Sequence, residues 1–315
     1  MLDKPDKTFR SSNVKNSFRK MFGRIRQESL PFLPRTLSLA AKIEQVSLDQ
    51  LLSHPEQMSK ALRNTKRVIG TDAILVPISF SVPVLQNTPY NSSDFFTAGV
   101  TENMLEVIRH LKADQEYVAC LIPGPVSTVQ KIFAQHEAPD PELYLRTVRA
   151  LCQGILEITR IIGEARPDLI VIQERKLPES LLDEHCVFEL LDPVFATIGY
   201  YNAEPILSVS DISWSLLQRL AESAKGIILT QNVLEDYSLT DLSELQRETG
   251  TCFGLQLPEE IYFGQNHLLE KFCSDVLACF EGRGVFACSM DEVPINCPIE
   301  YLQIIAQTLR TPFKA

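Results

Sequence analysis

The sequence predicts a (β/α)8 barrel with an N-terminal helical extension, and three observations lead there. After residue 30, eight short apolar runs alternate with amphipathic helical segments, the pattern of a mainly parallel sheet. Two of the runs, Asp72-Ala-Ile-Leu-Val and Asp168-Leu-Ile-Val-Ile, are nearly continuous in branched apolar residues, as in strands buried on both faces. No Gly-x-Gly-x-x-Gly follows the first run, which argues against the doubly wound open sheet. A length of 315 residues suffices for one such barrel.

Residues 1–30 form the extension and 31–315 the barrel. In the extension, Val14, Phe18, Met21, Phe22 and Ile25 fall at helical spacing after Ser12 and Asn13, which can cap, so an exposed first helix is expected. The strands are expected at 31–35, 72–79, 117–122, 168–174, 205–210, 226–230, 251–256 and 284–288. Helices are expected at 53–69, where a Pro-Glu start follows Ser53 and His54, and at 102–112, 141–163, 211–224, 239–249, 264–282 and 298–311. The long polar loop Gln86–Phe96 is placed to cover the barrel mouth.

Charge and cysteine usage exclude several function classes. Residues 1–27 hold eight Lys/Arg against Asp3 and Asp6, a net of +6 within a chain of net −10, so the remainder carries −16. An acidic body is a poor fit to a nucleic-acid partner. No apolar run reaches the roughly 18 residues needed to cross a bilayer, and no secretory apolar core is present near residue 1. The eight cysteines are scattered without a close metal-binding pair, which fits reduced thiols in a cytoplasm. The five histidines fall in helical or loop segments, away from strand ends, so a histidine base is not expected.

Chemistry in such barrels sits where strands end and helices begin. Cys288 ends the last strand as a ligand, a reactive thiol or a small core residue, and Asp291 follows it as an acid/base group or a solvated loop residue. Glu174 and Arg175 end the fourth strand; the carboxylate is expected to point into the mouth beside a cation able to hold an anion, or to close an ion pair at the rim. Arg35 follows the first strand and can anchor an anionic substrate or pair on the surface. Ser79 ends the second strand, and Ser210 and Asp211 end the fifth, where Asp211 can also cap the helix after it.

The end of the chain, Gly284-Val-Phe-Ala-Cys288 and Pro294-Ile-Asn-Cys297-Pro298-Ile-Glu300, resembles the terminal motif of the uroporphyrinogen decarboxylase superfamily, which includes cobalamin-linked methyltransferases. Arg24-Ile-Arg26, Gly70-Thr-Asp72-Ala, Ile122-Pro-Gly-Pro125 and Pro205-Ile-Leu resemble its earlier segments in the same order. The resemblance implies a cytoplasmic barrel enzyme acting on a small organic anion by methyl transfer, with a thiol substrate or a corrinoid protein as partner. The alternatives are a decarboxylase or lyase holding carboxylates with Arg35 and Arg175, and a non-catalytic barrel that binds a ligand or partner. The decarboxylase signature is reduced to Arg35, and Ser79 or Ser81 stands where the family's aspartate is expected. The methyltransferase zinc set, His-x-Cys plus a late Cys, here reads Ser208-Val-Ser210 and Cys288, so no bound zinc is expected.

Overall fold

A computed structural model describes residues 17–78, 99–134, 141–177 and 184–312. Eight parallel strands form a nearly closed barrel: β1 (Phe32–Arg35), β2 (Ile74–Pro77), β3 (Val118–Pro123), β4 (Leu169–Glu174), β5 (Glu204–Val209), β6 (Gly226–Leu229), β7 (Cys252–Gln256) and β8 (Val285–Glu292). Each expected strand is present. β8 differs most, running four residues beyond Cys288 because Ser289 and Glu292 bond to Arg35 and hold the chain extended there.

Helices cover the outside. α1 is the helical stretch 17–22; α2 (Leu37–Ile43), α3 (Leu48–Ser53) and α4 (Pro55–Ile69) lie between β1 and β2. α5 (Gly99–Ala113) precedes β3, and α6 (Pro125–Phe133) and α7 (Pro141–Glu164) precede β4. α8 (Glu184–Tyr200) leads to β5 and α9 (Trp214–Ser223) to β6, while α10 (Gln231–Asp236) and α11 (Leu239–Thr249) lead to β7. α12 (Asn266–Cys279) and α13 (Ile299–Arg310) flank β8. Two caps explain why α11 has its expected bounds: the Ser238 hydroxyl accepts from the Asp241 amide, and Gly250 ends the helix in the left-handed region at φ 83°. α8 escapes the sequence reading because Pro193 lies inside it.

The strand pairing sorts the inward side chains into layers. At constant height the register steps by about one residue per strand, so alternate strands share a layer. From the amino end upward, Ala73, Leu169, Gly226 and Phe286 make one layer, and Leu33, Ala119, Ile206 and Gly254 the next. Leu75, Val171, Ile228 and Cys288 follow, all buried. Gly254 has no side chain for a physical reason: a Cβ there would lie 2.4 Å from the Phe286 ring and 2.6 Å from Ile228.

The amino end of the barrel is plugged by α1. Phe18 and Met21 are wholly buried, and Phe18 stacks on Tyr117 at 4.8 Å and meets Phe286 edge-on at 5.9 Å. The first helix is therefore not an exposed one. Its apolar stripe closes the barrel floor, and Ile25, expected on that stripe, is 55% exposed past the helix end.

β1 and β2 make no extended ladder, and Asp72 bridges them instead. Its amide donates to the Phe32 carbonyl at 3.3 Å, and its Oδ2 accepts from the Phe32 amide at 2.9 Å. Its Oδ1 accepts from Arg310 Nε and Nη2 at 3.1 and 2.7 Å, tying α13 to the seam. Asp72→Ala strands the buried Phe32 amide and is expected to destabilise the fold by about 3 kcal/mol. Arg310→Ala removes a half-exposed partner and should lose about 1 kcal/mol. Urea unfolding of both variants checks the order, and an Asp72→Ala midpoint equal to wild type contradicts it.

Candidate functional site

Above the layer of Cys288 the barrel interior turns polar. The next layer is Arg35 from β1, Leu121 from β3, Ser208 from β5 and Gln256 from β7; over it stand Pro77, Gln173, Thr230 and Met290. Ser208 is 1% exposed, and its Oγ has no partner among the described residues; neither has the buried Oε1 of Gln256. Native interiors rarely leave such atoms bare. Arg35 reaches the same layer on a bulged rung of β1, where its amide donates to Ser289 Oγ at 2.8 Å.

Arg35 is half-shielded and partly committed. Its Nε donates to Glu292 Oε1 at 2.9 Å, and Nη1 makes a 3.5 Å contact with the Met290 carbonyl. The second Glu292 oxygen accepts from the Ser38 amide at 3.1 Å, in the first turn of α2. Glu292 thus orients the guanidinium and leaves the Nη edge for an anion, the fork geometry that suits a carboxylate.

Cys288 points inward but lies one layer below, fully buried among Leu75, Val171 and Ile228, where burial pushes its thiol well above the ordinary range. It packs as a small apolar side chain. The resemblance places zinc ligands at Ser208, Ser210 and Cys288. Both serines fall on the inward face of β5 or its extension, as Cys288 does on β8, while the chemistry differs. Two neutral hydroxyls and a protonated thiol do not fit zinc.

Glu174 departs from its expected direction. It shares parity with Ile170 and Ile172, which face the helices, whereas Leu169 and Val171 face the interior. Its Oε1 accepts from the Val126 amide at 3.0 Å and Oε2 from the Ser127 amide at 2.7 Å, so the carboxylate caps the start of α6. Gly124 is needed there, because a Cβ would fall 2.2 Å from the Glu174 carboxyl carbon. Ser127 Oγ in turn accepts from the Arg175 amide.

The remaining expected residues do not converge with Arg35. Arg175 is exposed on the rim and separate from the layer, so the two arginines do not form a paired grip. Asp211 is exposed and pairs with Lys176 at 2.6 Å. Its helix-capping alternative falls to Ser213, whose Oγ accepts from Leu216. Asp291 is exposed at the end of β8. The Ser210 amide donates to the Arg175 carbonyl at 3.1 Å, and its carbonyl accepts from Thr230. Ser79 and Gln86–Phe96 lie outside the described residues. Ser208 and Gln256 were missed as site residues, although each is a polar residue near the end of a mainly apolar strand, EPILSV and CFGLQ.

A groove of about 490 Å³ lies at the opposite, amino end, lined by Arg24, Lys225, Glu222 and Asp192 among others. It is remote from the strand ends where barrel chemistry is built. Among the described residues no group of three His, Cys, Asp or Glu is placed to hold a metal ion, and no helix is long and apolar enough to cross a membrane.

No protein-family model and no curated protein matches the sequence. Solved structures match the fold. A methyltransferase from Methanosarcina mazei superposes with TM-score 0.73 at 14% identity, over 94% of this chain and 98% of that one. The apo homocysteine methyltransferase MmuM from Escherichia coli gives 0.51 at 12% identity, over 92% and 100%. A GH113 β-1,4-mannanase gives 0.55 at 10%, over 90% and 99%. Neighbours with such different chemistry share the barrel alone.

Burial pushes the Glu174 carboxyl up to about 7, against the Ser127 hydroxyl and the Ser127 and Val126 amides, which pull it down. A folded pKa above the unfolded value gives stability that is full below about 4.5 and lost as pH rises through 7. Relative to Glu174→Gln, wild type should lose up to about 3 kcal/mol between pH 4.5 and 8. Urea unfolding across that range checks this, and a difference independent of pH contradicts it.

Proposed function

We propose that the chain is a barrel enzyme that holds a small organic anion against Arg35, Ser208 and Gln256 and transfers a methyl group to or from it. The observation that carries this reading is the polar layer itself, with one guanidinium edge and two bare hydrogen-bonding groups above an interior that is apolar beneath them. The sequence resemblance to cobalamin-linked methyltransferases supports the reaction class, and methyltransferases recur among structures of like fold. The methyl donor is then a corrinoid carried by a separate protein, and the chain's own part is placement.

The chemistry asked of the protein is modest. The acceptor atom's lone pair forms the new bond to carbon, and the donor keeps the electron pair of the broken bond. Arg35 fixes the anion, and the dry floor of Leu121, Val171 and Ile228 excludes water from the reacting atoms. No described residue of the layer is a base, so a thiol acceptor must supply its own thiolate. The same lack favours one second reading, a barrel that binds the anion without turning it over. Decarboxylation has less support, because Arg175 stands apart from Arg35.

Homocysteine, the acceptor named for the Escherichia coli protein of like fold, is a suitable probe with methylcobalamin as donor. Methionine formation should rise about tenfold per pH unit from 6 to 8, following the thiolate fraction. Arg35→Ala should raise KM at least tenfold without lowering Tm by more than a few degrees. Binding without methionine formation supports the second reading, and an unchanged KM in Arg35→Ala overturns the assignment of the anion site.

A further inference from the structure

Resting on that reading of the anion site, the geometry points to a narrower substrate class: a carboxylate that also carries a hydroxyl or amino donor, docked on Ser208 and Gln256. Three features of the barrel interior support it. Ser208 is 1% exposed on the inward face of β5, and its Oγ has no partner among the described residues. Gln256 stands in the same layer on β7, with a buried Oε1 equally bare. Arg35 completes the layer from β1, its Nε already taken by Glu292.

The alternation of the strands decides where these groups point. On β5, Ile206 faces the interior cluster while Leu207 and Val209 face the helices, so Ser208 faces inward. On β7, Cys252 is interior while Phe253 and Leu255 are turned out, so Gln256 faces inward too. Leu121 and the Cys288 layer beneath are apolar, and neither Gln173, the register partner of Ser208, nor Thr230 above bonds to either atom. A plain carboxylate satisfies Arg35 and leaves both groups bare. A donor within a few bonds of the carboxylate lets the Gln256 carbonyl accept and the Ser208 hydroxyl accept or donate.

Such unpaired groups discriminate strongly, because a ligand lacking the donor leaves them desolvated and unmatched. They also detract from stability in the empty protein, which separates a binding role from a structural one. Replacing either with an apolar side chain should stabilise the fold and weaken binding together.

The test is calorimetric titration of butyrate, 2-hydroxybutyrate and 2-aminobutyrate into wild type, Ser208→Ala and Gln256→Leu, with Tm recorded for each variant. Wild type should bind 2-hydroxybutyrate or 2-aminobutyrate at least tenfold more tightly than butyrate, and the two arms tell hydroxyl from amine. Each variant should bring that preference below about threefold while its Tm stays level or rises. Equal binding of all three ligands, unchanged by the variants, overturns the inference and leaves the anion site standing. Binding of none of them overturns both. A variant whose Tm falls with its preference intact assigns Ser208 and Gln256 to packing and also overturns the inference.

Discussion

The β1–β2 seam is the constraint on which the rest of the structure depends. Seven strand pairs are parallel ladders, and at the eighth junction one residue, Asp72, exchanges two hydrogen bonds with Phe32, one through its backbone amide and one through its carboxylate, and anchors Arg310. Closing the sheet there fixes the stagger of every other strand, and the stagger decides which side chains share a layer. Arg35, Ser208 and Gln256 come from strands two or more apart and fall at one height because of that stagger. The floor below obeys the same rule, with Gly254 yielding space to Phe286 and α1 sealing the amino end.

The strands were legible because their branched apolar runs are short and bounded, and each lies within about two residues of its expected start. Which way each residue faces was not legible. β4 reads Leu-Ile-Val-Ile-Gln-Glu, with both faces apolar, so no alternation in the sequence tells Gln173 from Glu174. The choice rests on α6, whose amides at Val126 and Ser127 attract the carboxylate, and on Gly124, which makes room for it. The apolar stripe of Phe18, Met21 and Phe22 announced a helix in the same way without announcing its target. The extension of β8 past Cys288 was hidden by Asp291 and Glu292, which look like loop residues until Glu292 is seen holding Arg35 and the start of α2.

The site residues expected at the strand ends divide by parity. Arg35 remains at the mouth, Cys288 sinks one layer below it, Glu174 turns to the helices, and Arg175, Asp211 and Asp291 stand exposed. The positions that resemble a zinc set carry hydroxyls in place of two stronger ligands. A site of this composition relies on shape, one guanidinium edge and neutral hydrogen bonds, so its selectivity lies in binding more than in acid–base chemistry.

A crystal structure of the protein with 2-hydroxybutyrate tests the central claim most directly. The account predicts the carboxylate on the Nη edge of Arg35 and the hydroxyl within hydrogen-bond reach of Ser208 Oγ or the Gln256 amide, at the carboxyl end of the barrel. Ligand density confined to the amino-end groove beside Arg24 and Lys225, with the Arg35 layer empty, would contradict it.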